Sequence, residues 1–308
     1  MIVTVTPNPS IDRTIRIDRL ERGALIRATR STAEAAGKGV NVSCALAAQG
    51  VPTVAVLPLA EDSAATYLRL LANATPIGPV PIAGSIRTNV SVVEADGTLT
   101  KLNEPGPELA SGDVDAILAA ATGVPGASWV VGCGSLPPGA PVDFYAKLAT
   151  RASGGPRVAI DTSSEALGAA VCAGVALIKP NLAELEALVA RPLTTLGDAA
   201  AAARELIARG CHAVLVSLGP DGALFVDGNG ATHAEARIDD VANTVGAGDA
   251  LLAGFLAAGG DATAIAEAVA WSIAAVRSPG TRMRTVTAAD RAPVIVHERI
   301  DPSRRLRP

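Results

Sequence analysis

Asn243-Thr244-Val245-Gly246-Ala247-Gly248-Asp249-Ala250-Leu251-Leu252-Ala253-Gly254 is a turn of small residues that runs into an apolar, helix-favouring segment, with an acid at the junction. Such a turn lets backbone N–H groups point at a ligand. The helix behind it adds unpaired N–H groups and the positive end of its dipole, which together favour a bound phosphate. A carboxylate at Asp249 would repel that phosphate, which makes sense if it takes the proton from a hydroxyl attacking phosphorus. Asp is also a favoured N-cap, so the segment taken alone fits an ordinary helix start as well. It is neither a Walker A loop nor Gly-x-Gly-x-x-Gly, because position 251 is Leu.

The segments outside this loop supply a sheet for it to sit on. Short aliphatic runs bounded by turn residues recur at 2–6, 54–57, 129–132, 158–161, 176–179 and 214–217. Helix-length stretches rich in Ala and Leu lie between most of them, for example 140–151 and 198–209. Continuous apolar strands alternating with helices predict an α/β fold with a mostly parallel sheet covered on both faces. Ligands in such sheets bind beyond the carboxyl ends of the strands, where Asp161, Lys179 and Ser217 fall.

Two segments depart from this pattern. Residues 11–20 alternate, with Ile11, Arg13, Ile15 and Ile17 on one side and Asp12, Thr14, Arg16 and Asp18 on the other. Residues 87–103 alternate around Asp96-Gly97, a hairpin turn signal. Both read as exposed antiparallel strands, either an edge extension of the main sheet or a small separate sheet that acts as a lid against water. The chain is expected to be one domain, 1–308, with a lid formed by about 11–30 and 82–103. Residues 262–277 are expected to be the last helix, with Trp271 packing.

Composition limits the chemistry. With 308 residues, 49% of them hydrophobic but only 2% aromatic, the core must be aliphatic. A net charge of −4 leaves no broad basic surface, which argues against nucleic-acid or anionic-membrane partners. No apolar run approaches the ~20 residues of a membrane span, and the amino terminus, Met1-Ile2-Val3-Thr4-Val5, reads as a strand; a cytoplasmic protein is expected. Four cysteines, 44, 133, 172 and 211, form no Cys-x-x-Cys, so neither disulfides nor zinc are expected, and Cys44, Cys133 and Cys172 read as core. The three histidines, His212, His233 and His297, suggest no metal-ligand pair and no catalytic triad. Catalysis therefore falls to carboxylates, lysines, arginines and backbone.

Several segments carry further polar groups. Ala36-Gly37-Lys38-Gly39-Val40-Asn41-Val42-Ser43 opens a small-residue helix running to about Gln49. It offers close backbone approach, a cation and an amide, which suit a hydroxylated anion, or it is simply a glycine-containing helix start. Asp12, after the first strand, is placed for sugar hydroxyls or for solvent. Lys179-Pro180-Asn181-Leu182-Ala183-Glu184 ends a strand and opens a helix. Asn181 and Glu184, on one helix face, suit Mg²⁺ held through its waters, and they equally suit a capping box. Ser217-Leu218-Gly219-Pro220-Asp221-Gly222 is a strand–turn–strand that is either a hairpin or a nucleotide shelf.

Taken together and in order, these segments resemble the ribokinase-like (PfkB) family of carbohydrate kinases over nearly the whole chain. The family's Gly-Lys-Gly-x-Asn signature matches Gly37 to Asn41. Its anion hole and catalytic base match Gly246, Ala247, Gly248 and Asp249, and its Asn-x-x-Glu motif matches Asn181 and Glu184. The resemblance implies a three-layer sandwich with a small β-sheet lid, and ATP and Mg²⁺ as cofactors. Lys179, Asn181, Ser217, Gly219, Gly222 and Thr244 would then bind the nucleotide. Thr6-Pro7-Asn8-Pro9-Ser10-Ile11-Asp12, Arg87-Thr88-Asn89-Val90, Gly134-Ser135-Leu136-Pro137-Pro138-Gly139 and Leu102-Asn103-Glu104-Pro105-Gly106-Pro107 are similar to the branch that acts on sugar phosphates. That implies ATP-dependent phosphorylation of a ketohexose phosphate, foremost fructose 1-phosphate to fructose 1,6-bisphosphate, with tagatose 6-phosphate and fructose 6-phosphate as alternatives. Asp12, Gly37 and Asn41 would hold the sugar; Lys38, Arg87 and Ser135 would hold its phosphate. By family analogy the lid strands could form a homodimer. Ala36 and Leu57-Pro58-Leu59-Ala60-Glu61-Asp62 depart from glycines common in the family, which bears on substrate choice. A sugar-phosphate-binding regulator that does no chemistry is the competing class, and a nicotinamide dehydrogenase lacks its fingerprint.

Overall fold

The computed structural model describes residues 1–278, 280 and 282–307; positions 279, 281 and 308 of the expected single unit lie outside the described residues. The first half of the chain runs β1 (Ile2–Val5), β2 (Ser10–Arg16), β3 (Arg30–Ala36), α1 (Lys38–Ala48), β4 (Thr53–Ala60), α2 (Ala64–Leu71), β5 (Ile77–Ile82), β6 (Arg87–Val93), β7 (Leu99–Asn103), α3 (Ser111–Thr122), β8 (Trp129–Cys133) and α4 (Phe144–Arg151). The second half runs β9 (Arg157–Asp161), α5 (Ser164–Val171), β10 (Leu177–Ile178), α6 (Leu182–Val189), α7 (Leu196–Ala208), β11 (Val214–Ser217), β12 (Ala223–Asp227), β13 (Gly230–Glu235), α8 (Ala247–Ala257), α9 (Ile265–Val276), α10 (Ala288–Arg291) and β14 (Ile295–His297).

The main sheet has ten strands in the order β14-β13-β12-β11-β10-β9-β8-β1-β4-β5. Every pairing from β11 through β5 is parallel, and β11–β14 add an antiparallel edge. Successive strand residues face opposite layers. Val3, Val130, Val158 and Val214 pack with Ile117, Leu148, Leu167, Leu185 and Leu206 of α3 to α7. Ile2, Val131, Ala159 and Leu215 pack with Leu46, Leu252 and Trp271 of α1, α8 and α9. Because both faces are buried, the strands read as continuous apolar runs, and period-2 patterning shows only in which layer each residue meets.

A second sheet of four strands, in the order β3-β2-β6-β7, stands apart from the first. Two of its pairings are antiparallel, as the alternating sequence predicts, while the central pair, β2–β6, is parallel. Three sequence expectations change. The helix expected from 140 starts at Phe144, because Pro137 to Pro141 form turns whose carbonyls accept from Ala140 N and Phe144 N. Residues 262–264 form a 3₁₀ turn before α9, and α9 is not the last helix, since α10 and β14 follow. Cys172, expected in the core, is exposed at the end of α5, and Cys211, to which the sequence reading gave no place, is buried.

Helices α8 and α9 cross where α8 has no side chain. A Cβ at Gly254 would lie 2.7 Å from Trp271 Cγ and 3.0 Å from the Glu267 carbonyl oxygen. Gly254→Ala is therefore expected to destabilise the protein by ~1–2 kcal/mol, overpacking outweighing the gain in helix propensity. Gly112→Ala, in the exposed first turn of α3 with nothing within 4 Å of its Cβ position, should leave the thermal midpoint unchanged or raise it. Thermal unfolding of both variants against the parent checks the contrast.

Candidate active site

The carboxyl ends of β1, β8, β9, β10 and β11 line one edge of the sheet, and α8 delivers the Gly246–Asp249 segment to the same edge. Gly246 is the N-cap of α8, in the left-handed region at φ 81°, and Asp249 is the third helical residue with no capping hydrogen bond. Its carboxylate is thus not the N-cap that the isolated segment allowed. Among the described residues the amides of Gly246, Gly248 and Asp249 have no hydrogen-bond acceptor. These are the unpaired donors that an anion satisfies.

Asp249 is buried, and Asn41 Nδ2 of α1 donates to its Oδ2 at 2.8 Å. Burial and the nearby Asp161 carboxylate push Asp249 up to about 6, against the opposing pull of Asn41, Lys38 and Lys179. Asp161, at the end of β9, is completely buried between two lysines. Lys38 Nζ donates to its Oδ1 at 2.8 Å, and Lys179 Nζ lies 3.0 Å from Oδ2 as an ion pair outside hydrogen-bond alignment. Burial opposes ionisation of Asp161, but Lys179 and Lys38 outweigh it and hold the carboxyl below its usual range. Burial likewise opposes the charge on Lys38, and Asp161 overrides it and raises the lysine.

On the side toward β1, β8 and the small sheet, Asp12 Oδ1 accepts from Ser10 Oγ at 2.7 Å and from Asn89 Nδ2 at 2.9 Å. Arg87, level with Ser10 in the β2–β6 register, is half-buried, and its Nε is buried with no partner, so it lacks an acceptor that an anionic ligand would bring. Burial lowers the Arg87 pKa and Asp12 partly restores it. Ser135 is exposed after β8 and is tied to this region through Asn8, whose Nδ2 reaches Ser135 Oγ at 3.4 Å and the Pro105 carbonyl at 3.0 Å. Gly37 and Gly39 have a further physical reason: Cβ atoms there would lie 2.7 and 2.5 Å from the Thr6 side chain, so their bareness lets α1 start against β1.

On the side toward β10–β13, Asn181 caps α6. Its Oδ1 accepts from Glu184 N at 2.8 Å, and Glu184 Oε2 accepts from Asn181 N at 2.9 Å. The capping box is present, and among the described residues Glu184 Oε1 has no hydrogen-bond donor. Asn181 bridges Ser217, and Ser217 N donates to the Pro180 carbonyl, so the two segments are joined. Gly219 (φ 56°) has open space beside it, while Gly222 (φ 83°) is pressed on β13, with a Cβ position 2.0 Å from the Ala234 carbonyl oxygen. Thr244 is exposed in the loop before α8, and its carbonyl accepts from Ala247 N.

The fold therefore joins Lys38, Lys179, Asn41 and Asp249 into one cluster, with Asp12, Arg87 and Ser135 on one flank and Asn181, Ser217, Gly219 and Gly222 on the other. Sequence reading missed Asn8 and Asn89, which work through partners 127 and 77 positions away. It noted Asp161 only as a strand end, although an acid closing an apolar strand was the available signal. The histidines also differ from expectation: β13–β14 pairing sets His233 beside His297, 5.5 Å apart and stacked, with Glu235 alongside.

The family model described as pfkB family carbohydrate kinase matches residues 5–286. A 1-phosphofructokinase of Rhodobacter capsulatus is 38% identical over 312 residues, covering 95% of this chain and 99% of the relative. Another, of Xanthomonas campestris pv. campestris, is 39% identical over 268 residues and covers 83% of each chain. The crystal structure of phosphofructokinase-2 from Escherichia coli matches with a TM-score of 0.85 at 31% identity, over 94% of this chain and 96% of that one.

The raised pKa of Asp249 carries a stability signature. A carboxyl at about 6 when folded and 3.8 when unfolded costs stability as pH rises from 3.8 through 6, and the cost is complete above that. Asp249→Asn should therefore raise the thermal midpoint at pH 7.5, by up to ~3 kcal/mol of stability, and lose that advantage near pH 3.5. Thermal unfolding at the two pH values checks the sign.

Proposed function

Because the chain belongs to the pfkB family of carbohydrate kinases, we propose that it transfers the γ-phosphoryl group of ATP to the free primary hydroxyl of fructose 1-phosphate, giving fructose 1,6-bisphosphate. The substrate rests on similarity along almost the full chain to relatives named 1-phosphofructokinase. The chemistry rests on one observation above the others: a buried carboxylate with a raised pKa, Asp249, in the first turn of a helix where the Gly246, Gly248 and Asp249 amides lack acceptors among the described residues. A regulator that only binds would gain nothing from that arrangement.

Asp249 takes the proton from the attacking hydroxyl, and Asn41 orients the carboxylate. The Gly246 and Gly248 amides face the charge that grows on the transferring phosphoryl group, whereas the Ala247 amide, expected to join them, already donates to the Thr244 carbonyl; Lys179, held by Asp161, adds a cation to the same place. Asp12 and Asn41 hold sugar hydroxyls beside Gly37. Arg87 offers its unpaired Nε to the phosphate already on the substrate, with Lys38 and Ser135 as further donors. Asn181, Ser217, Gly219, Gly222 and Thr244 line the nucleotide side. Mg²⁺ fits Asn181 and Glu184 only through its waters, since Asn181 Oδ1 and Glu184 Oε2 are engaged in the capping box and Glu184 Oε1 is left. When bound, the ion would neutralise charge on the ATP phosphates.

The small sheet is placed to act as a lid over the sugar side and keep water from competing with the hydroxyl. Its outer strand β7 exposes Leu99 and Leu102, and a homodimer through the lid strands would cover them. No helix among the described residues is long and apolar enough to cross a membrane, and a cytoplasmic location fits the use of ATP.

Asp249→Asn should lower kcat by at least 10²–10⁴-fold with a modest change in KM. The parent's kcat/KM should fall tenfold per pH unit below about 6, where Asp249 takes up its proton. Arg87→Ala should raise KM for fructose 1-phosphate by about 10- to 100-fold, the value of a charge-assisted hydrogen bond to phosphate. ADP release with Mg-ATP and, side by side, fructose 1-phosphate, fructose 6-phosphate, tagatose 6-phosphate, fructose and ribose tests the substrate. Fructose 1-phosphate should have the highest kcat/KM; preference for a free sugar would overturn the roles given to Arg87 and Ser135.

A further inference from the structure

The carboxy-terminal segment 301–307 makes contacts that the catalytic cluster does not explain. It lies along the start of α7: Leu196 N donates to the Arg304 carbonyl at 2.8 Å, Gly197 N to the Pro302 carbonyl at 3.1 Å, and Leu306 N to the Thr194 carbonyl at 3.0 Å. Orphan amides of the first turn of α7 are thus satisfied by this segment. A Cβ at Gly197 would lie 2.6 Å from the Pro302 carbonyl oxygen, so a bare residue is needed there for the segment to pass.

The same segment grips the turn after β11. Asp221, in the 3₁₀ turn Gly219–Asp221, is only 2% exposed. Its Oδ2 accepts from Arg307 N at 2.7 Å and its Oδ1 from Arg307 Nε at 2.9 Å, while the Arg307 guanidinium also donates to the Pro220 carbonyl. Arg304 Nη2 lies 3.4 Å from Asp221 Oδ1 and 2.6 Å from Glu235 Oε2, and Nη1 completes the fork on Glu235. His233 Nε2 donates to the Asp221 carbonyl at 2.7 Å. The cluster of His233, Glu235 and His297 could be taken for a cation site, but Arg304 already occupies both oxygens of Glu235 with positive charge.

A carboxylate buried to this degree is costly without its cations. If Arg304 and Arg307 withdrew, Asp221 would have to seek water, and the turn carrying it would move. That turn is fixed on one side by Gly222 against β13 and opens on the other at Gly219. Asp221 is buried with both carboxylate oxygens engaged by Arg304 and Arg307, so no direct ligand role is given to it.

We propose that the carboxy-terminal segment is a strap that positions the nucleotide turn, with Arg304, Arg307 and Asp221 acting as positioning residues for ATP and not for the sugar phosphate. This rests on the reading that the Ser217–Gly222 segment contacts the nucleotide. The strap reaches the β11–β13 side of the sheet, whereas Asp12, Arg87 and Ser135 are carried by β2, β6 and the loop after β8, so loosening it acts on one substrate selectively.

The test is steady-state kinetics of the full chain carrying Arg304→Ala, Arg307→Ala, Arg307→Lys or Gly219→Asn, with thermal unfolding of each. Arg304→Ala and Arg307→Ala should raise KM for ATP about 3- to 30-fold and leave KM for fructose 1-phosphate within twofold. Arg307→Lys, which keeps the charge and the backbone donor to Asp221, should recover part of the loss. Gly219→Asn tests the underlying reading, since asparagine tolerates the left-handed backbone while filling the open side, and it should raise KM for ATP directly. If Gly219→Asn acts on ATP but the arginine variants leave both KM values unchanged, or raise both equally, the strap has no positioning role. If Gly219→Asn leaves KM for ATP unchanged, the nucleotide reading of the turn falls and the strap proposal falls with it. Should Arg304→Ala fail to fold, Arg307→Ala, at a half-exposed side chain, carries the test alone.

Discussion

The buried ion pairs of Asp161 with Lys38 and Lys179 tie the rest of the site together. Lys38 begins α1, Asp161 ends β9 and Lys179 directly follows β10, so three elements that are far apart in sequence are fixed to one another by charge. Burial works against the charge on Lys38 and on Asp161, and in each case the opposite charge beside it outweighs the burial. Asp161 also raises the proton affinity of Asp249 without touching the reacting atoms. A single acid therefore pairs with two lysines and raises the proton affinity of a second acid.

The sheet makes this possible by bringing strand ends from several parallel strands to one edge. Its two buried faces impose a cost, because helices must pack closely on both sides. The chain meets this with residues that lack side chains at the tightest points, Gly37 and Gly39 against Thr6 and Gly254 against Trp271. Some glycines that look like ligand-binding signals are consequently packing residues first, and the open backbone they leave for a ligand follows from it.

Much of the site could be read from the sequence because its signals are local. A small-residue turn before an apolar helix, Asn181 three residues before Glu184, and Pro-Asp-Gly between two strands each announce their backbone geometry within a few positions. The alternation of aliphatic runs and Ala-rich helices likewise gave the α/β layering. What stayed hidden depends on distant partners. Asn8 matters because of loops beyond 100, and His233 meets His297 only through strand pairing that no local pattern encodes. Cys172 misled because its apolar neighbours belong to the inner face of α5 while it lies just past the helix end. The helix expected from 140 was too long because the turn at Pro141 was read as part of it.

The order of strands in the main sheet has a consequence for how such a protein can change over time. On the proposed reading, groups for the sugar phosphate come from the loops after β1 and β8, the start of α1 and the separate four-stranded sheet, and those for the nucleotide from the segments that follow β10 and β11 and the loop before α8. Only the Asp161 and Asp249 cluster at the middle serves both. Mutations that retune the acceptor can therefore accumulate at one end without disturbing the donor at the other, and the shared centre is the part that tolerates least drift. A lineage built on this plan can diversify its sugars while inheriting its phosphoryl-transfer chemistry intact.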